Sequence, residues 1–331
     1  MKKLTSIALR ALVSGALLWV LWQQHSRTDG IWEHLRTMQN EWRWVLAGIG
    51  SIGIAISLSA WRWWLVLKPH VPTATLPFAW HATLVSGFFN ITSLGTLGGD
   101  AWRIMAVRKH YPGNGVAAGL SVMIDHLAGL LGMAVIFAIV GIMALYQWPE
   151  QAAHVRTIIH QFAIVLLIGS VVLCLAVLSL SPAFVQRYGS LTPRRLRVFV
   201  NRMSAQFAPI WTSWRSFIAA VLVSVLMLSA HFFAFYCALR AVGGQADLLP
   251  VMLAMPIVDM AAALPVSISG LGVREKTFET LMHAFTGLPG GLGVSASLAG
   301  WLFTVICGLI GGLVFVLGRT AAEHEQPART N

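Results

Sequence analysis

Two glycine-rich stretches combine accessible backbone with charged side chains, a combination suited to binding anions. Residues 93–100 read Ser-Leu-Gly-Thr-Leu-Gly-Gly-Asp and are followed by Arg103. Residues 267–274 read Ser-Ile-Ser-Gly-Leu-Gly-Val-Arg and are followed by Glu275. Glycine permits tight chain reversal, which frees backbone N–H groups to point at an anion, and arginine matches the planar geometry of a phosphate. The glycines that would supply this backbone are Gly95, Gly98, Gly99, Gly270 and Gly272.

Further ionisable residues lie within or beside long apolar runs. Asp125 and His126 lie deep in the run that begins at Val116, and Asp259 lies in a run that contains Pro256 and Pro265. A charge buried in hydrocarbon costs about 2.5–3.5 kcal/mol, so such residues usually face a cavity and a partner. We therefore predict a substrate-binding set: Asp100, Arg103, Asp125, His126, Asp259, Arg274 and Glu275.

A structural role for the same residues remains open at this point. Asp100 and Arg103 are three residues apart, so they could pair on one face of a helix, and Arg274 directly precedes Glu275. Either pair could pin a chain reversal instead of binding a ligand. Arg62, in the sequence Trp-Arg-Trp-Trp, is interpreted as snorkelling within an aromatic belt near the end of an apolar run.

Other polar residues suggest no further chemistry. His81 and His231 are interpreted as polar residues satisfied inside a helix bundle, and the three cysteines lie in apolar runs. No spacing of histidine, cysteine and acidic residues fits a metal site, and no nucleotide-binding or serine-hydrolase motif occurs. We expect no metal and no cofactor. The glycines of the last run (Gly300, Gly308, Gly311, Gly312, Gly318) predict close helix packing.

The composition indicates that the chain is embedded in a lipid bilayer. Of its 331 residues 57% are hydrophobic and 11% are charged, and the mean hydropathy is +0.72. A soluble domain has about 25% charged residues. The net charge of +11 is explained by basic residues that flank membrane spans, so a nucleic-acid partner is not expected.

The apolar runs predict an all-α, polytopic membrane helix bundle. We predict six spans, at about residues 11–22, 44–67, 116–145, 162–180, 217–242 and 292–318. Two weaker segments, about 78–97 and 250–269, hold the glycine-rich breaks and are predicted to be re-entrant hairpins. Basic amphipathic stretches at 31–42 and 194–214 are predicted to lie in the membrane surface.

The distribution of basic residues favours both weak segments being re-entrant, with both termini cytoplasmic in the cell (inner) membrane. A chain in which only the first segment is re-entrant fits the charges equally well, and a chain in which all eight segments span with the N-terminus outside fits them nearly as well. The similarity of the two breaks favours an inverted repeat within one integral-membrane domain, 1–331. Its halves are about 1–145 and 162–318, with a tail at 319–331. The loop at 103–109 is then predicted to be cytoplasmic and the loop at 274–276 external.

Several motifs together resemble a known family. They are Trp-Arg-Trp-Trp at 61–64, Gly-Gly-Asp-Ala-Trp-Arg at 98–103, Asp125 within its apolar run, Leu-Pro-Val-Ser at 264–267 and Gly-Leu-Gly-Val-Arg-Glu at 270–275. The chain resembles the flippase-like transmembrane domain family, named for the N-terminal half of lysylphosphatidylglycerol synthase. The resemblance covers the chain from the second span to the last. Family members usually carry arginine after the aspartate that corresponds to Asp125, whereas this chain has His126, whose charge depends on pH.

The resemblance implies a membrane lipid translocase, which is not an enzyme, acting on polar lipids or polyprenyl-linked glycans. The expected partners are membrane lipids that are anionic or isoprenoid-linked. Two alternatives stay open: an integral-membrane transferase in which Asp100 and Asp125 hold Mg²⁺, and a non-transporting partner of a lipid or glycan assembly complex. Aminoacyl transfer is not expected, since only about a dozen residues follow the last run.

Overall fold

The described part of the chain is built from α-helices. The computed structural model describes residues 15, 19, 23, 30–92, 96–148, 152–179, 181–188, 204–205, 208, 213–264, 267 and 269–324. Its helices are α1 Ile31–Thr37, α2 Trp42–Leu67, α3 Leu76–Thr92, α4 Thr96–His110, α5 Gly115–Gln147, α6 Ala152–Ser179, α7 Pro182–Tyr188, α8 Trp214–Ala241, α9 Leu248–Ala263, α10 Val273–Thr286 and α11 Gly290–His324.

Five of these helices are long and apolar enough to cross a bilayer. They are α2, α5, α6, α8 and α11, with apolar stretches of at least 20 residues. At about 1.5 Å per residue, 20 residues span the roughly 30 Å hydrocarbon core. The predicted all-α, polytopic membrane bundle is therefore confirmed, with five of the six predicted spans. The sixth, at 11–22, lies almost entirely outside the described residues.

The two weak segments form short helices that end near the glycine-rich breaks. Helix α3 has 17 residues and α9 has 16, so each is only about 24–26 Å long. A second helix begins within each glycine-rich stretch, α4 at Thr96 and α10 at Val273. Residues 103–109 and 274–276, predicted as loops, are instead helical, because helices α4 and α10 begin at Thr96 and Val273. That each hairpin enters and leaves the membrane on the same side is still a prediction. The inverted repeat is also still a prediction.

The chain divides into two compact units. Unit 1 takes residues from the ranges 1–56, 81–102 and 231–331, and unit 2 from 57–80 and 103–230. Helices α2, α3, α4 and α8 each contribute to both units, so the units do not follow the order of the sequence.

Glycines on α11 bring helices together in unit 1. A Cβ at Gly308 would lie 2.8 Å from the side chain of Ile91, and one at Gly311 would collide with the carbonyl of Leu84. Gly300 faces the ring of Phe235, which a Cβ there would approach to 2.7 Å. The predicted role of these glycines in close packing is confirmed for the ones whose surroundings are described.

The predicted surface helices are described only in part. Helix α1 covers Ile31–Thr37 and packs against α11. It is shorter than the predicted 31–42 stretch, because a turn at residues 38–40 separates it from α2. Most of the basic stretch at 194–214 lies outside the described residues.

The turn between α9 and α10 depends on Gly270. Its φ is +76°, and a Cβ there would lie 2.7 Å from Ala262 Cβ and 3.1 Å from the Ala262 carbonyl oxygen. Gly287 has a similar φ of +69° but open space around it. The two glycines therefore share a backbone conformation and differ in the room for a side chain.

We expect Gly270→Ala to destabilise the protein by about 2–5 kcal/mol, from left-handed strain of about 1–2 kcal/mol and overpacking of about 1–3 kcal/mol. Gly287→Ala should cost only the strain, about 1–2 kcal/mol. Denaturant titration in mixed micelles measures both free energies of unfolding. Equal losses for the two variants would contradict the close approach of Gly270 to α9.

Candidate functional site

An aspartate held between two arginines lies inside unit 2. The carboxylate of Asp125, on α5, accepts two hydrogen bonds from Arg62 of α2, with Nε–Oδ1 at 2.7 Å and Nη2–Oδ2 at 2.9 Å. It also accepts one from Nη1 of Arg103, on α4, at 3.1 Å. Asp125 is 1% exposed, and each arginine is 7% exposed. We call these three residues the buried ionic triad.

Helix α5 makes room for the triad with a stripe of small and polar residues. Ser121, Asp125 and Gly129 recur at four-residue spacing, so they share one face of the helix. Ser121 accepts a hydrogen bond from the indole N–H of Trp63, at 3.1 Å. A Cβ at Gly129 would lie 3.1 Å from Arg62 Nη1. The guanidinium of Arg62 therefore packs closely against the backbone of α5 at Gly129.

The triad carries more positive than negative charge. Two guanidinium groups face one carboxylate, which leaves a surplus of one positive charge inside a membrane-spanning bundle. Two serine hydroxyls approach the arginines: Ser224 lies 3.4 Å from Arg62 Nη1, and Ser59 lies 3.4 Å from Arg103 Nη2. Such hydroxyls only partly compensate a charge, because they offer partial dipoles in place of a full anion.

The two arginines are held differently. Arg62 donates two parallel hydrogen bonds to the Asp125 carboxylate. Arg103 makes a single bond to the aspartate, lies with its guanidinium carbon 5.2 Å from the centre of the Trp63 ring, and has a buried Nε without an acceptor. A buried donor without a partner is costly, and an added oxygen ligand would satisfy it. Arg103 is thus the member of the triad with spare capacity for an anion.

The interpretation of Arg62 as a snorkelling residue was wrong. Its side chain points to the interior of unit 2, where the Asp125 carboxylate supplies a charged partner. Proximity to the end of an apolar run suggested snorkelling, yet Arg62 lies five residues inside α2. The residues Ser59 and Arg62, one helical turn apart, were the available signal for a polar face on this helix. Ser224 was also missed, since a single serine in an apolar run carries no signal of its own.

Arg103 pairs with a residue outside its own helix. The salt bridge that the structure describes for Arg103 joins it to Asp125, 22 residues along the chain. His126, the next residue, is exposed because neighbouring helix positions point about 100° apart. Charge compensation at Asp125 therefore comes from Arg62 and Arg103, and an arginine directly after the aspartate is not needed for it.

The second glycine-rich break is organised by its own charged residues. Glu275 is fully buried; its carboxylate accepts the Gly272 N–H and lies 3.5 Å from the Ser297 hydroxyl, so it caps the start of α10. Arg274 Nη2 donates to the Ser269 carbonyl at 3.1 Å. Each residue thus holds the backbone of the turn, which supports the structural role that the sequence left open for this pair. Arg274 Nη1 and the Ser267 hydroxyl are buried without an acceptor.

The first break is closed by a side chain of the preceding helix. Asn90, near the end of α3, accepts the N–H of Gly99 at 3.0 Å. A Cβ at Gly99 would collide with Asn90 and Ser86, so this position needs glycine. Gly98 and Asp100 lie with Gly99 in the first turns of α4, and Asp100 is half-buried; Gly95 lies outside the described residues.

Asp259 pairs with a histidine in unit 1. Its Oδ2 lies 3.3 Å from Nε2 of His231, on α8. The expectation that His231 is a polar residue satisfied within the bundle is confirmed. Asp259 therefore has a partner that differs from the arginines of the triad.

The geometry does not favour a divalent metal at Asp125. Both carboxylate oxygens receive guanidinium N–H groups, whereas Mg²⁺ requires carboxylate oxygens free to coordinate it. Among the residues that the structure describes, no group of three or more His, Cys, Asp or Glu side chains is placed to hold a metal ion.

Comparison with protein families supplies an independent finding. Residues 7–312 match the family described as "Lysylphosphatidylglycerol synthase TM region". The match includes both glycine-rich breaks and all three members of the buried ionic triad. No curated protein matches the chain.

Proposed function

The chain belongs to the lysylphosphatidylglycerol synthase TM region family, and on that premise we propose that it is a membrane lipid translocase. It would move a polar, phosphate-bearing or polyprenyl-linked lipid between leaflets, without changing it covalently. Family membership and the long apolar helices make it an integral, multi-pass membrane protein connected with membrane lipids. The specific activity is our inference from the site.

The buried ionic triad is the observation that carries this proposal. Ionisable residues inside membrane spans are costly, and they usually mark a substrate or ion pathway. The three residues carry two guanidinium groups for one carboxylate, so the cluster has positive charge available for an anion. A lipid phosphodiester carries one negative charge, which would bring the cluster of two arginines and one aspartate to neutrality.

The spare donor indicates where the phosphate would bind. Arg103 offers its unpartnered Nε and the Nη2 that now makes only a long contact to Ser59. These two N–H groups lie on one edge of the guanidinium, so they suit two oxygens of one phosphate. Arg62 would then position the site by holding Asp125. Because the triad is buried, we propose that the headgroup reaches it only when the surrounding helices separate.

Arg274 is a second candidate contact for an anion, in unit 1. Its unpartnered Nη1 belongs to the first turn of α10, where the helix dipole favours negative charge, and the Ser267 hydroxyl in the preceding segment is also buried without a partner. Glu275 already caps this helix, so an anion would gain less here than at Arg103. We therefore propose Arg103 as the principal phosphate-binding residue and Arg274 as an accessory one.

We also propose the orientation that the basic residues favour. Both termini would lie on the cytoplasmic side of the cell membrane, with the α3–α4 hairpin entering from the cytoplasm and the α9–α10 hairpin from outside. This arrangement gives each leaflet one glycine-broken hairpin.

Liposomes test the proposed activity directly. The purified full chain is placed in phosphatidylcholine vesicles that contain fluorescently labelled phosphatidylglycerol, with and without Mg²⁺, and the accessible label is followed by quenching from outside. We expect labelled lipid to cross the bilayer faster than in protein-free vesicles, with its mass unchanged. A new lipid product would identify a transferase. If neither movement nor a product is seen with a panel of anionic and polyprenyl-phosphate lipids, the chain is better explained as a non-transporting partner of a lipid or glycan assembly complex.

A further inference from the structure

A histidine–aspartate pair lies at membrane depth in unit 1, apart from the residues assigned to the lipid. His231 is ten residues before the end of α8, about 15 Å along the helix. It faces Asp259 of α9, with Nε2–Oδ2 at 3.3 Å. The two side chains are 25% and 22% exposed, so neither is sealed inside the packed core of unit 1.

The surroundings of the pair are aromatic. The His231 ring lies 5.3 Å from that of Phe235, and Phe235 in turn contacts Phe278 of α10. Asp259 is the ionisable partner that the structure gives to His231, and it is the one ionisable side chain on α9.

The other described ionisable side chains on α10, and those on the unit 1 parts of α2, α8 and α11, are engaged with other groups. On α10, Arg274 binds the Ser269 carbonyl, Glu275 binds Gly272 and Ser297, Lys276 binds Glu279, and His283 contacts the Leu288 carbonyl. On α2 and α8, Arg43 lies over Trp42, Arg240 over Trp44, and Tyr236 against Trp44, while the thiol of Cys237 is buried. Cys307, the ionisable residue within Gly290–Leu317 of α11, contacts the Ile49 carbonyl.

A proton changes the charge of this pair by one full unit. With neutral imidazole and ionised carboxylate the pair carries one negative charge, and with a proton added it is neutral overall. A net charge in an apolar, aromatic setting is costly, so the protonated pair is the form that suits close packing of α8 against α9. Histidine titrates near neutral pH, which makes this change available under physiological conditions.

The pair joins a spanning helix to a broken one. Asp259 lies three residues after Pro256, which removes one backbone hydrogen bond from α9, and four residues before that helix ends. Protonation would therefore act on the short helix that leads into the second glycine-rich break. A charge on Asp259 that lacks its imidazolium partner would favour movement of this helix toward water.

We propose that His231 and Asp259 form a proton-binding site that couples lipid movement to a proton gradient. A proton from water on one side joins the imidazole and neutralises the pair, and it returns to water on the other side after the helices rearrange. This inference rests on the proposed translocase activity for its coupling role. Proton binding itself does not depend on that activity.

Histidine-selective ¹⁵N labelling of the full chain in nanodiscs tests the proton site. Among the imidazole resonances, we expect one that titrates with pH and is absent from the spectrum of His231→Gln, which assigns it to His231. In Asp259→Asn its titration midpoint should move to lower pH, because a neutral amide cannot stabilise the imidazolium as a carboxylate does. Glu279→Gln, which removes a carboxylate from an ion pair with Lys276 in the same unit, is the matched control and should leave the midpoint unchanged.

Lipid movement tests the coupling. In the phosphatidylglycerol vesicles, wild type should move labelled lipid faster under an imposed pH gradient than at equal pH. The ratio of the two rates should fall to one in His231→Gln and in Asp259→Asn, and stay at the wild-type value in Glu279→Gln. A His231 titration that is insensitive to Asp259→Asn overturns the proton site, whatever the lipid does. If His231 titrates as expected but the wild-type protein moves no lipid, the translocase proposal and the coupling are wrong. The proton-binding site is still supported in that case.

Discussion

Asp125→Asn is expected to lose about 3–5 kcal/mol of stability and most of the lipid movement. Asp125 is the carboxylate that pairs with both Arg62 and Arg103, so its replacement by a neutral amide leaves two buried guanidinium groups close together without the charge that holds them. Denaturant titration in mixed micelles gives the free energy of unfolding, and the vesicle assay gives the rate of lipid movement.

Asp247→Asn provides the matched control for this change. Asp247 is exposed at the start of α9, and its side chain makes no capping hydrogen bond, so the substitution should change stability by no more than about 0.5 kcal/mol. The triple variant Asp125→Asn, Arg62→Met, Arg103→Met removes all three ions. It should be more stable than the Asp125→Asn variant, because unpaired buried charges cost more than an apolar replacement. It should still fail to move lipid. An Asp125→Asn protein as stable as wild type would contradict the buried triad.

Arg103→Met should separate function from stability. The variant leaves Arg62 and Asp125 as a neutral, doubly hydrogen-bonded pair, so we expect the free energy of unfolding to stay within about 1 kcal/mol of wild type or to rise. If Arg103 binds the lipid phosphate, loss of its charge-assisted hydrogen bonds, about 1.5–3 kcal/mol, should lower lipid movement by roughly ten- to a hundredfold.

Arg103→Lys refines the same test. The charge remains, but lysine cannot present two N–H groups on one planar edge, so movement should be partly retained. Arg62→Lys is the comparison at the other arginine, where the loss should be mainly in stability because two bonds to Asp125 are replaced by one. Wild-type lipid movement by a stable Arg103→Met protein would refute the assignment of Arg103 to the phosphate.

The fold class was accessible from the sequence because it depends on local properties. A run of about 20 apolar residues spans a bilayer wherever it occurs, and five of the six predicted spans are long apolar helices in the structure. Glycine and proline also act locally. Helix α3 ends at Thr92 and α9 at Ala263, both next to the predicted breaks.

The candidate site was only partly accessible. Asp125 could be selected because a carboxylate deep in an apolar run is costly without a partner. Its partners could not be selected in the same way. Arg103 had a nearer candidate in Asp100, and Arg62 had an explanation in snorkelling that required no partner. The structure joins Asp125 to arginines 63 and 22 residues away.

The sequence by itself therefore determined a membrane-embedded, all-helical chain of a recognisable family, with charges in its spans and glycine breaks in two short helices. Only the tertiary structure decided that α2, α4 and α5 bring two arginines to one aspartate, that Glu275 caps α10, and that Asp259 meets His231. Hydropathy and backbone preference are properties of neighbouring residues, whereas a charge pair depends on which helix faces meet. Those faces are set by packing, as at Gly129, where Arg62 approaches the backbone of α5 closely.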